Sequence, residues 1–512
     1  MLIKIVLTII TSLTCLWLNS VNCASVFNNE LYYEEARNNI IKAEESIRTG
    51  GNIYLSPREL EADKFLLNMK QKAIHKGIQD SASYAPSMHF FHAKPLIEQD
   101  PIFKIIQKLP KGGLLHLHST AGVSSEWVIK NLTYRDDVLI CNHKDGFHMF
   151  VAVPSELCAN EAVPVNKLRA RATNKTAFDE SLESLINLYT HQPELDYPDI
   201  NTVWEKFEIM FSVIDGIFDY LPTYIAYHQQ LLQELYEDNV MYLEIRTEMG
   251  GVIDQNGKHL NSQDMAEVIL KLVDDFKQDH PLFIGVKVII AILRDYDEHA
   301  FDEKVERFLD LRKKYPDLVV GFDLVGQEDL GRPLASYVEK LKNISDNGRF
   351  FFHAGETNFF NTDADVNLID ALLMNTKRIG HGYSLYKHPV LWEAFKKKEI
   401  AIEISPISNQ VLHLVQDLRN HPAAFYISEN VPIVIANDDP GFWNAKGLSY
   451  DFYYAFMAFT PADSGLQVLK QLAWNSLKYS AMTQKEKINA TNQFKASWDK
   501  FIDYVLGFGR KL

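Results

Sequence analysis

Short apolar runs recur along the chain, and their spacing constrains the fold more than any other feature of the sequence. From residue 320 onward they alternate with amphipathic stretches, a pattern typical of parallel strands joined by helices. Three similar runs lie earlier in the chain. The eight candidate strands span residues 113–118, 240–245, 286–293, 321–325, 349–353, 378–382, 400–405 and 432–436. Eight such strands predict an α/β fold closed into a (β/α)8 TIM-type barrel.

The segments around these strands predict the domain organisation. Residues 1–23 have the pattern of a secretory signal peptide, with Lys4 before an apolar core; an uncleaved anchor is the alternative. Residues 24–108 predict a separate helical N-terminal domain, and residues 109–123 hold the first barrel strand. Residues 124–186 predict an insertion, and residues 187–512 supply the rest of the barrel and the C-terminal helices. No later stretch reaches the roughly 20 apolar residues of a membrane span, so we expect a secreted protein.

Two cysteines remain after the signal peptide, and both lie in the insertion. Cys141 and Cys158 would meet an oxidising compartment, where an even pair usually forms a disulfide. The alternative is two buried free thiols. Four Asn-x-Ser/Thr sequons agree with secretion and predict glycosylation. They begin at Asn131, Asn174, Asn343 and Asn489.

The charge of the chain argues against one class of partner. A formal net charge of −15 disfavours nucleic acid, whose binding requires clustered Lys and Arg. The insertion nevertheless contains a local basic cluster, which is best interpreted as a solvated loop; contact with anionic glycans is the weaker alternative. The cluster consists of Lys167, Arg169, Arg171 and Lys175.

Polar side chains recur where the predicted strands end. His116 and His118 end the first strand, and an i, i+2 pair on a strand points both imidazoles to the same side. Polar residues at the ends of strands five, six and eight are His353, Glu356, His381, Asp438 and Asp439. Barrel enzymes gather their chemistry at this face. These residues therefore predict an active site at the carboxyl-terminal mouth of the barrel.

Three imidazoles and one carboxylate at this mouth suit a borderline divalent cation. The predicted ligands are His116, His118, His353 and Asp438. Zinc fits this set best, and iron, cobalt and manganese remain open. The fourth predicted strand contains no Lys that could bridge two metals, which favours a single ion.

The remaining polar residues predict hydrolytic chemistry. A metal lowers the pKa of bound water, and a nearby base and a positioned acid assist the attack of that water. His381 fits the base or the electrostatic partner of the water, and Glu356 fits the acid. Asp439 can accept a hydrogen bond from the substrate; orienting a metal ligand is its alternative role.

Four ordered motifs carry a resemblance to a known family. Residues 113–118 (GLLHLH), 353–358 (HAGETN), 380–382 (GHG) and 437–440 (NDDP) resemble the adenosine deaminases. The secretory signal, the N-terminal segment and the insertion narrow the resemblance to the adenosine deaminase-related growth factors, within the metal-dependent hydrolases. Residues 242–246 (YLEIR) and 321–326 (GFDLVG) agree with this. The resemblance covers essentially the whole mature chain.

The resemblance implies one zinc ion per subunit and a role for each site residue. Glu356 would protonate purine N1 as water attacks C6, and His381 would stabilise and deprotonate that water. Gly326 and Asp439 would hold the purine, and Trp204 would contact the nucleoside unless it is a core residue of its helix. The substrates would be adenosine and 2′-deoxyadenosine. The N-terminal domain would form a homodimer, and the insertion would bind a receptor or glycan.

Ser119 departs from the family pattern. Family members commonly carry Asp directly after the second histidine of the first motif, where it would bind the ribose 5′-hydroxyl. A serine hydroxyl keeps a hydrogen bond but loses the charge-assisted contact, a difference of about 1 kcal/mol. We therefore expect a weaker Michaelis constant and intact chemistry.

Three functions from different classes fit the sequence. The first is a secreted deaminase that lowers extracellular adenosine. The second is a receptor-binding growth factor with an idle barrel, which the retained ligands, Glu356 and His381 disfavour. The third is another mononuclear zinc hydrolase. A deaminase acting on adenosine monophosphate is disfavoured because the mouth motifs contain no basic cluster for a phosphate.

Overall fold

Eight parallel strands form the centre of the protein. The structure is a computed structural model, and it describes residues 30–143, 146–151, 161–345 and 349–510. Strands β1 to β4 pair in chain order, and β5 to β8 do the same. In order, β1 to β8 span Gly112–His118, Val240–Thr247, Gly285–Leu293, Val319–Val325, His353–Ala354, Arg378–His381, Ala401–Ile404 and Ile433–Ile435.

Single bridges join the two sets of strands into a closed barrel. Phe322 of β4 pairs in parallel with Phe350, and Leu117 of β1 pairs in parallel with Asp438, three residues past β8. The amide of His118 donates to the carbonyl of Asp438 at 3.1 Å, which ties the ends of β1 and β8 together. The predicted α/β barrel is confirmed, and its seam brings the first and last site residues side by side.

The fifth strand is shorter than the sequence predicts. The prediction covered residues 349–353, whereas the regular strand holds only His353–Ala354. The preceding residues still bond to both neighbours, since the Phe351 amide donates to Phe322 and the Lys377 amide donates to Phe350. A Cβ on Gly321 would lie 2.2 Å from the Phe351 ring. The Phe351 ring therefore occupies the space beside Gly321, and the hydrogen-bond ladder between β4 and residues 349–353 is irregular there.

Helices surround the barrel. Helix α3, Ile200–Phe218, and the helix Leu221–Glu237 connect the insertion to β2. Helix α4, Pro406–Val411, follows β7 directly, and helix α5, Gln484–Gly509, ends the described chain. The other helices after the barrel strands are Ser262–Asp279, Glu298–Lys314, Val338–Ser345, Asp363–Leu373, Pro389–Lys398, Ala423–Ser428, Ser449–Ala458 and Leu466–Lys478.

The N-terminal helices pack onto the rest of the protein and share its hydrophobic core. They are α1, Glu30–Ile47, α2, Pro57–Gln79, and the shorter Phe90–Gln99 and Pro101–Ile106. A capping box between Ser56 and Glu59 starts α2. Lys70 of α2 is fully buried, and its Nζ donates to Thr460 Oγ1 at 2.5 Å and to the Pro461 carbonyl at 2.8 Å. Only α1 projects, since Ala36 is its single buried residue.

The insertion holds a small antiparallel sheet with strands Val138–His143, Gly146–Val151 and Val163–Pro164. Cys141 is disulfide-bonded, but Cys158 lies outside the described residues, so their pairing stays a prediction. The prediction of a solvated loop for the basic cluster is wrong, because its residues lie on the helices Val165–Arg171 and Lys175–Glu183. The guanidinium of Arg169 is buried, donating to Asp179 Oδ1 at 2.7 Å and to Thr133 Oγ1 at 2.6 Å, so Arg169 is not free for glycan contact either.

The structure describes some, but not all, of the predicted glycosylation and signal-peptide residues. Asn131, Asn174 and Asn489 are exposed, whereas the side chain of Asn343 and the predicted signal peptide lie outside the described residues. Among the residues that the structure describes, no helix is long and apolar enough to cross a membrane.

Candidate active site

The four predicted metal ligands meet at the carboxyl-terminal mouth of the barrel. One nitrogen or oxygen atom from each of His116, His118, His353 and Asp438 lies within 4.8 Å of the others. Their donor atoms suit a metal. His116 Nε2 and Asp438 Oδ1 are buried 3.0 Å apart, yet neither has a hydrogen-bond partner. Unpartnered buried atoms of this kind are costly unless an ion satisfies them.

Buried carboxylates orient two of the imidazoles. His116 Nδ1 donates to Glu403 Oε2, and His353 Nδ1 donates to Asp323 Oδ2, both at 2.7 Å. An ionised carboxylate only accepts, so each imidazole carries its proton on Nδ1 and turns Nε2 toward the cluster. The sequence did not predict that Glu403 and Asp323 orient imidazoles, although Asp323 lies in the motif at residues 321–326 that resembles the family.

Two buried arginines keep these carboxylates charged. Arg246 donates to Asp323 Oδ2 at 2.8 Å and to Glu403 Oε2 at 2.6 Å. Arg378 donates to Glu403 Oε1 at 2.6 Å and to Glu244 Oε2 at 2.5 Å. Burial alone would raise the pKa of Glu403, but Arg246 and Arg378 hold that pKa well below its usual value. The network fills the barrel interior beneath the mouth.

Asp438 occupies a constrained position between the ligands. Its φ of 60° lies in the left-handed region, which is uncommon for a non-glycine residue. Ser408 Oγ donates to its Oδ2 at 2.8 Å. Burial would raise the pKa of Asp438, but the neighbouring His116 holds it well below the usual value. The carboxylate is therefore in its ligating form.

Glu356 presents a buried carboxyl group beside the cluster. Its Oε1 has no hydrogen-bond partner. Burial and then the negative charges of Asp438 and Glu328 raise the pKa of Glu356 well above its usual value. Glu328, which the sequence analysis missed, also accepts the amides of Gly355 at 3.1 Å and Glu356 at 2.6 Å. The loop is thereby fixed, with a protonated acid facing the site.

His381 lies between Glu356 and Asp438. Its Nδ1 is 3.5 Å from Glu356 Oε1, and its Nε2 is 3.7 Å from Asp438 Oδ2. Its φ of 62° is again left-handed. Burial lowers the pKa of His381 well below its usual value, so the ring is neutral. The neighbouring Gly380 has a role as well, since a Cβ there would lie 3.0 Å from the His116 ring.

The four predicted substrate contacts line one cavity of about 670 Å³ that also reaches the cluster. Gly326 has a φ of 104° at the end of β4, and Ser119 follows β1. Trp204 lies on α3 and is buried, but it also lines the cavity. Both predicted roles, a contact to the nucleoside and a core residue of its helix, therefore fit. Burial and the charge of Asp438 raise the pKa of Asp439 well above its usual value. This direction favours the protonated carboxyl group of Asp439, which donates a hydrogen bond, over the acceptor that the sequence predicts.

Part of the cavity lining is rich in carboxyl groups. They belong to Glu208, Asp215, Asp219, Glu248 and Asp295. Burial raises the pKa of Asp215 to about 7 and that of Asp219 to about 6, and Glu248 pairs with Lys304, so the lining carries less than its full formal charge. Arg246 is the single Arg or Lys among the described lining residues, and its guanidinium is engaged by Asp323 and Glu403. The cavity therefore favours a neutral or cationic ligand over a phosphate.

The fold and this site together define a class of protein. A parallel α/β barrel with three imidazoles, a carboxylate and a protonated acid at its carboxyl-terminal mouth is the arrangement of a metal-dependent hydrolase. Comparison with known proteins then gives the family. A family model described as "Adenosine deaminase" matches residues 170–496, and one described as "Adenosine/AMP deaminase N-terminal" matches residues 12–106.

Full-length relatives agree with these family models. "Adenosine deaminase 2-A" of Danio rerio is 42% identical over 475 residues, which cover 91% of this chain and 93% of that protein. "Adenosine deaminase 2" of Homo sapiens is 41% identical, covering 93% and 95%. "Adenosine deaminase" of Lutzomyia longipalpis is 38% identical, covering 92% and 93%. The chain belongs to the adenosine deaminase family, and the resemblance drawn from its motifs is confirmed.

Solved structures share the fold. The N6-mAMP deaminase of Arabidopsis superposes with a TM-score of 0.54 at 18% identity, covering 77% of this chain and 99% of that one. An amidohydrolase of Burkholderia ambifaria with bound Zn gives a TM-score of 0.51 at 18% identity, covering 79% and 95%.

Removing the charge behind His116 should weaken metal binding. We expect Glu403→Gln to lower metal affinity about 10- to 100-fold, because the neutral amide no longer balances Arg246 and Arg378 or orients the imidazole. Competition with a chelator measures this affinity. The exposed Glu393→Gln serves as the matched control. Equal affinities in the two variants would contradict a role for the buried carboxylate.

Proposed function

We propose that this chain is a secreted, zinc-dependent adenosine deaminase. It converts adenosine and 2′-deoxyadenosine to inosine and 2′-deoxyinosine with release of ammonia, and so lowers extracellular adenosine. The observation that carries the proposal is the buried Glu356, whose raised pKa keeps a proton at a metal-ligand cluster inside a nucleoside-sized cavity. Family membership and the relatives named adenosine deaminase support the substrate.

One zinc ion per subunit would be held by His116, His118, His353 and Asp438. Three imidazoles and a carboxylate suit zinc, and the structural relative with bound Zn supports this choice. The metal supplies Lewis acidity and a water that ionises near neutral pH. The protein contributes the fixed ligand geometry.

The buried side chains account for the remaining chemistry. Glu356 gives its proton to purine N1, which makes C6 electrophilic. Asp439 donates a hydrogen bond to N7, which requires the protonated form that its raised pKa provides. Gly326 and Trp204 hold the purine and the nucleoside from the cavity wall. His381 contacts the attacking water.

The carboxyl-rich part of the cavity lining supports a nucleoside substrate over a nucleotide. A 5′-phosphate would face the carboxyl groups of α3 and of the loops after β2 and β3, and among the described lining residues it would find no unengaged Arg or Lys. Like charges repel in such a partly enclosed site. Adenosine monophosphate should therefore be a poor substrate.

Turnover of adenosine by the zinc-loaded protein tests the proposal directly. The fall in absorbance near ~265 nm follows deamination, with adenosine monophosphate as the comparison substrate. Glu356→Gln should lose at least about 100-fold in kcat, because a general acid contributes roughly that much, while it retains its metal. If the zinc-loaded wild-type protein did not turn over adenosine, the proposal would be wrong. The alternative, a receptor-binding growth factor with an inactive barrel, would then remain.

Ser119→Asp should improve substrate binding. A carboxylate there can accept a charge-assisted hydrogen bond from the ribose 5′-hydroxyl, worth about 1 kcal/mol, or about a fivefold lower KM. The value of kcat should stay the same, because the reacting atoms are not touched. Ser119→Ala is the control and should raise KM. A KM unchanged in both variants would remove Ser119 from the ribose site.

Dimerisation through the N-terminal segment is a second proposal. Helix α1 exposes large apolar residues, which favours burial against a second copy. They include Leu31, Tyr32, Tyr33, Ile40, Ile41 and Ile47. Sedimentation should find a dimer in the wild type and in Asn38→Glu, and a monomer when Ile40 and Ile41 are both changed to Glu. A dimer that survives the double change would place the interface elsewhere.

A growth-factor activity and binding of a receptor or glycosaminoglycan by the insertion complete the proposal. Arg169 takes no part in such binding because its guanidinium is buried, but Lys167, Arg171 and Lys175 are exposed.

A further inference from the structure

Two buried residues that the proposed reaction does not use control the hydrogen bonding of His381. Asn409 is fully buried on α4, immediately after β7. His421 is buried between two aromatic rings, with ring centroids 4.8 Å from Phe459 and 5.3 Å from Tyr383. Asn409 contacts both His421 and His381. The three side chains form a chain of hydrogen bonds that runs from the backbone to the active site.

The chain begins at a donor whose direction is unambiguous. The amide of Ala423 donates to His421 Nδ1 at 2.9 Å, so this nitrogen must accept. A neutral imidazole that accepts at Nδ1 carries its proton on Nε2. Burial lowers the pKa of His421 to about 3, which keeps the ring neutral. Turning the ring over would place carbon atoms at both partners and lose both hydrogen bonds.

The orientation of the Asn409 amide follows from His421. His421 Nε2 donates to Asn409 Oδ1 at 2.9 Å. The opposite amide orientation would set two donors against each other. The Asn409 Nδ2 group therefore faces His381 Nδ1, 3.1 Å away, and donates to it.

His381 must accept at Nδ1, so its proton lies on Nε2. The competing arrangement would place the proton on Nδ1 and direct it toward Glu356 Oε1. That pair is 3.5 Å apart, Oε1 has no hydrogen-bond partner, and the Asn409 amide would then face a second donor. The Asn409 Nδ2–His381 Nδ1 distance is shorter than the Glu356 Oε1–His381 Nδ1 distance, and it joins a donor to an acceptor. The other ring nitrogen, Nε2, faces the metal ligand Asp438.

We propose that Asn409 and His421 are positioning residues that hold His381 in the Nε2–H tautomer, so that His381 offers a hydrogen-bond donor to the attacking oxygen. This inference rests on the proposed deaminase function and chooses between the two roles that the sequence leaves open for His381. His381 is the electrostatic partner of the water, not its base. The protons balance in the hydration step without a base at His381. As the water oxygen forms its bond to C6, Glu356 gives its proton to N1 and takes one proton from that water.

Neutron diffraction of the zinc-loaded wild-type protein tests the tautomer without relying on activity. We expect a deuteron on Nε2 of both His381 and His421, and none on either Nδ1. A deuteron on His381 Nδ1 would overturn the proposal. This result decides the tautomer even if the protein does not deaminate adenosine, so failure of the proposed function and failure of this inference remain distinguishable.

Kinetics of two matched variants test the consequence. Asn409→Asp presents a carboxylate to His381 Nδ1 and should draw the proton to that nitrogen, which removes the donor from Nε2. We expect kcat to fall about 100-fold, with KM and bound zinc unchanged. The same chemical change at an exposed position far from the site, Asn38→Asp, is the control and should keep the wild-type kcat.

The outcomes separate positioning from a merely structural role. Wild-type kcat in Asn409→Asp, measured where infrared spectra show the introduced carboxylate ionised and nitrogen NMR shows the His381 ring neutral, would contradict the proposal. So would an equal loss of kcat in both variants, or a loss that accompanies lost zinc. If Asn409→Asp does not fold, the neutron map of the wild type still gives the answer.

Discussion

The arrangement of the active site depends on one buried ion network in the barrel interior. Arg246 and Arg378 hold Asp323, Glu403 and Glu244, and all five side chains are at most 1% exposed. Removing one partner of such a network leaves an uncompensated buried charge, which commonly costs about 3–5 kcal/mol. The network therefore must form completely. Once formed, it fixes the charge and direction of the carboxylates that orient the imidazoles of His116 and His353.

The closure of the barrel depends on the same region as the chemistry. The bridge between Leu117 and Asp438 joins the ends of β1 and β8, and Asp438 itself completes the ligand set. Two site residues, His381 and Asp438, have left-handed backbones. Strain of this kind persists only where the surroundings hold it, and here the surroundings are the buried carboxylates, Ser408 and Asn409. Stability and reactivity are therefore built from shared residues.

Much of the site could be predicted because the sequence repeats a simple rule. Each strand of a parallel barrel ends at the same face, so polar residues after apolar runs must meet there. His116, His118, His353, Glu356 and Asp438 follow this rule. Asp323, Glu403 and Glu244 did not stand out, because a lone acid within a strand carries no periodic signal. Asn409, His421 and Glu328 act through distant partners, which local spacing does not reveal.

The sequence by itself determined the barrel and the meeting of His116, His118, His353, Asp438 and Glu356 at its mouth, because strand periodicity and strand ends are local properties of the chain. Only the tertiary structure decided the protonation and orientation of these groups. The raised pKa of Glu356 comes from burial beside Asp438 and Glu328, and the direction of His381 from Asn409, 28 residues away along the chain. It also showed Arg169 to be buried and the N-terminal helices to be packed on the rest of the protein. Burial and pairing arise between distant segments, and so they exist only in the folded chain.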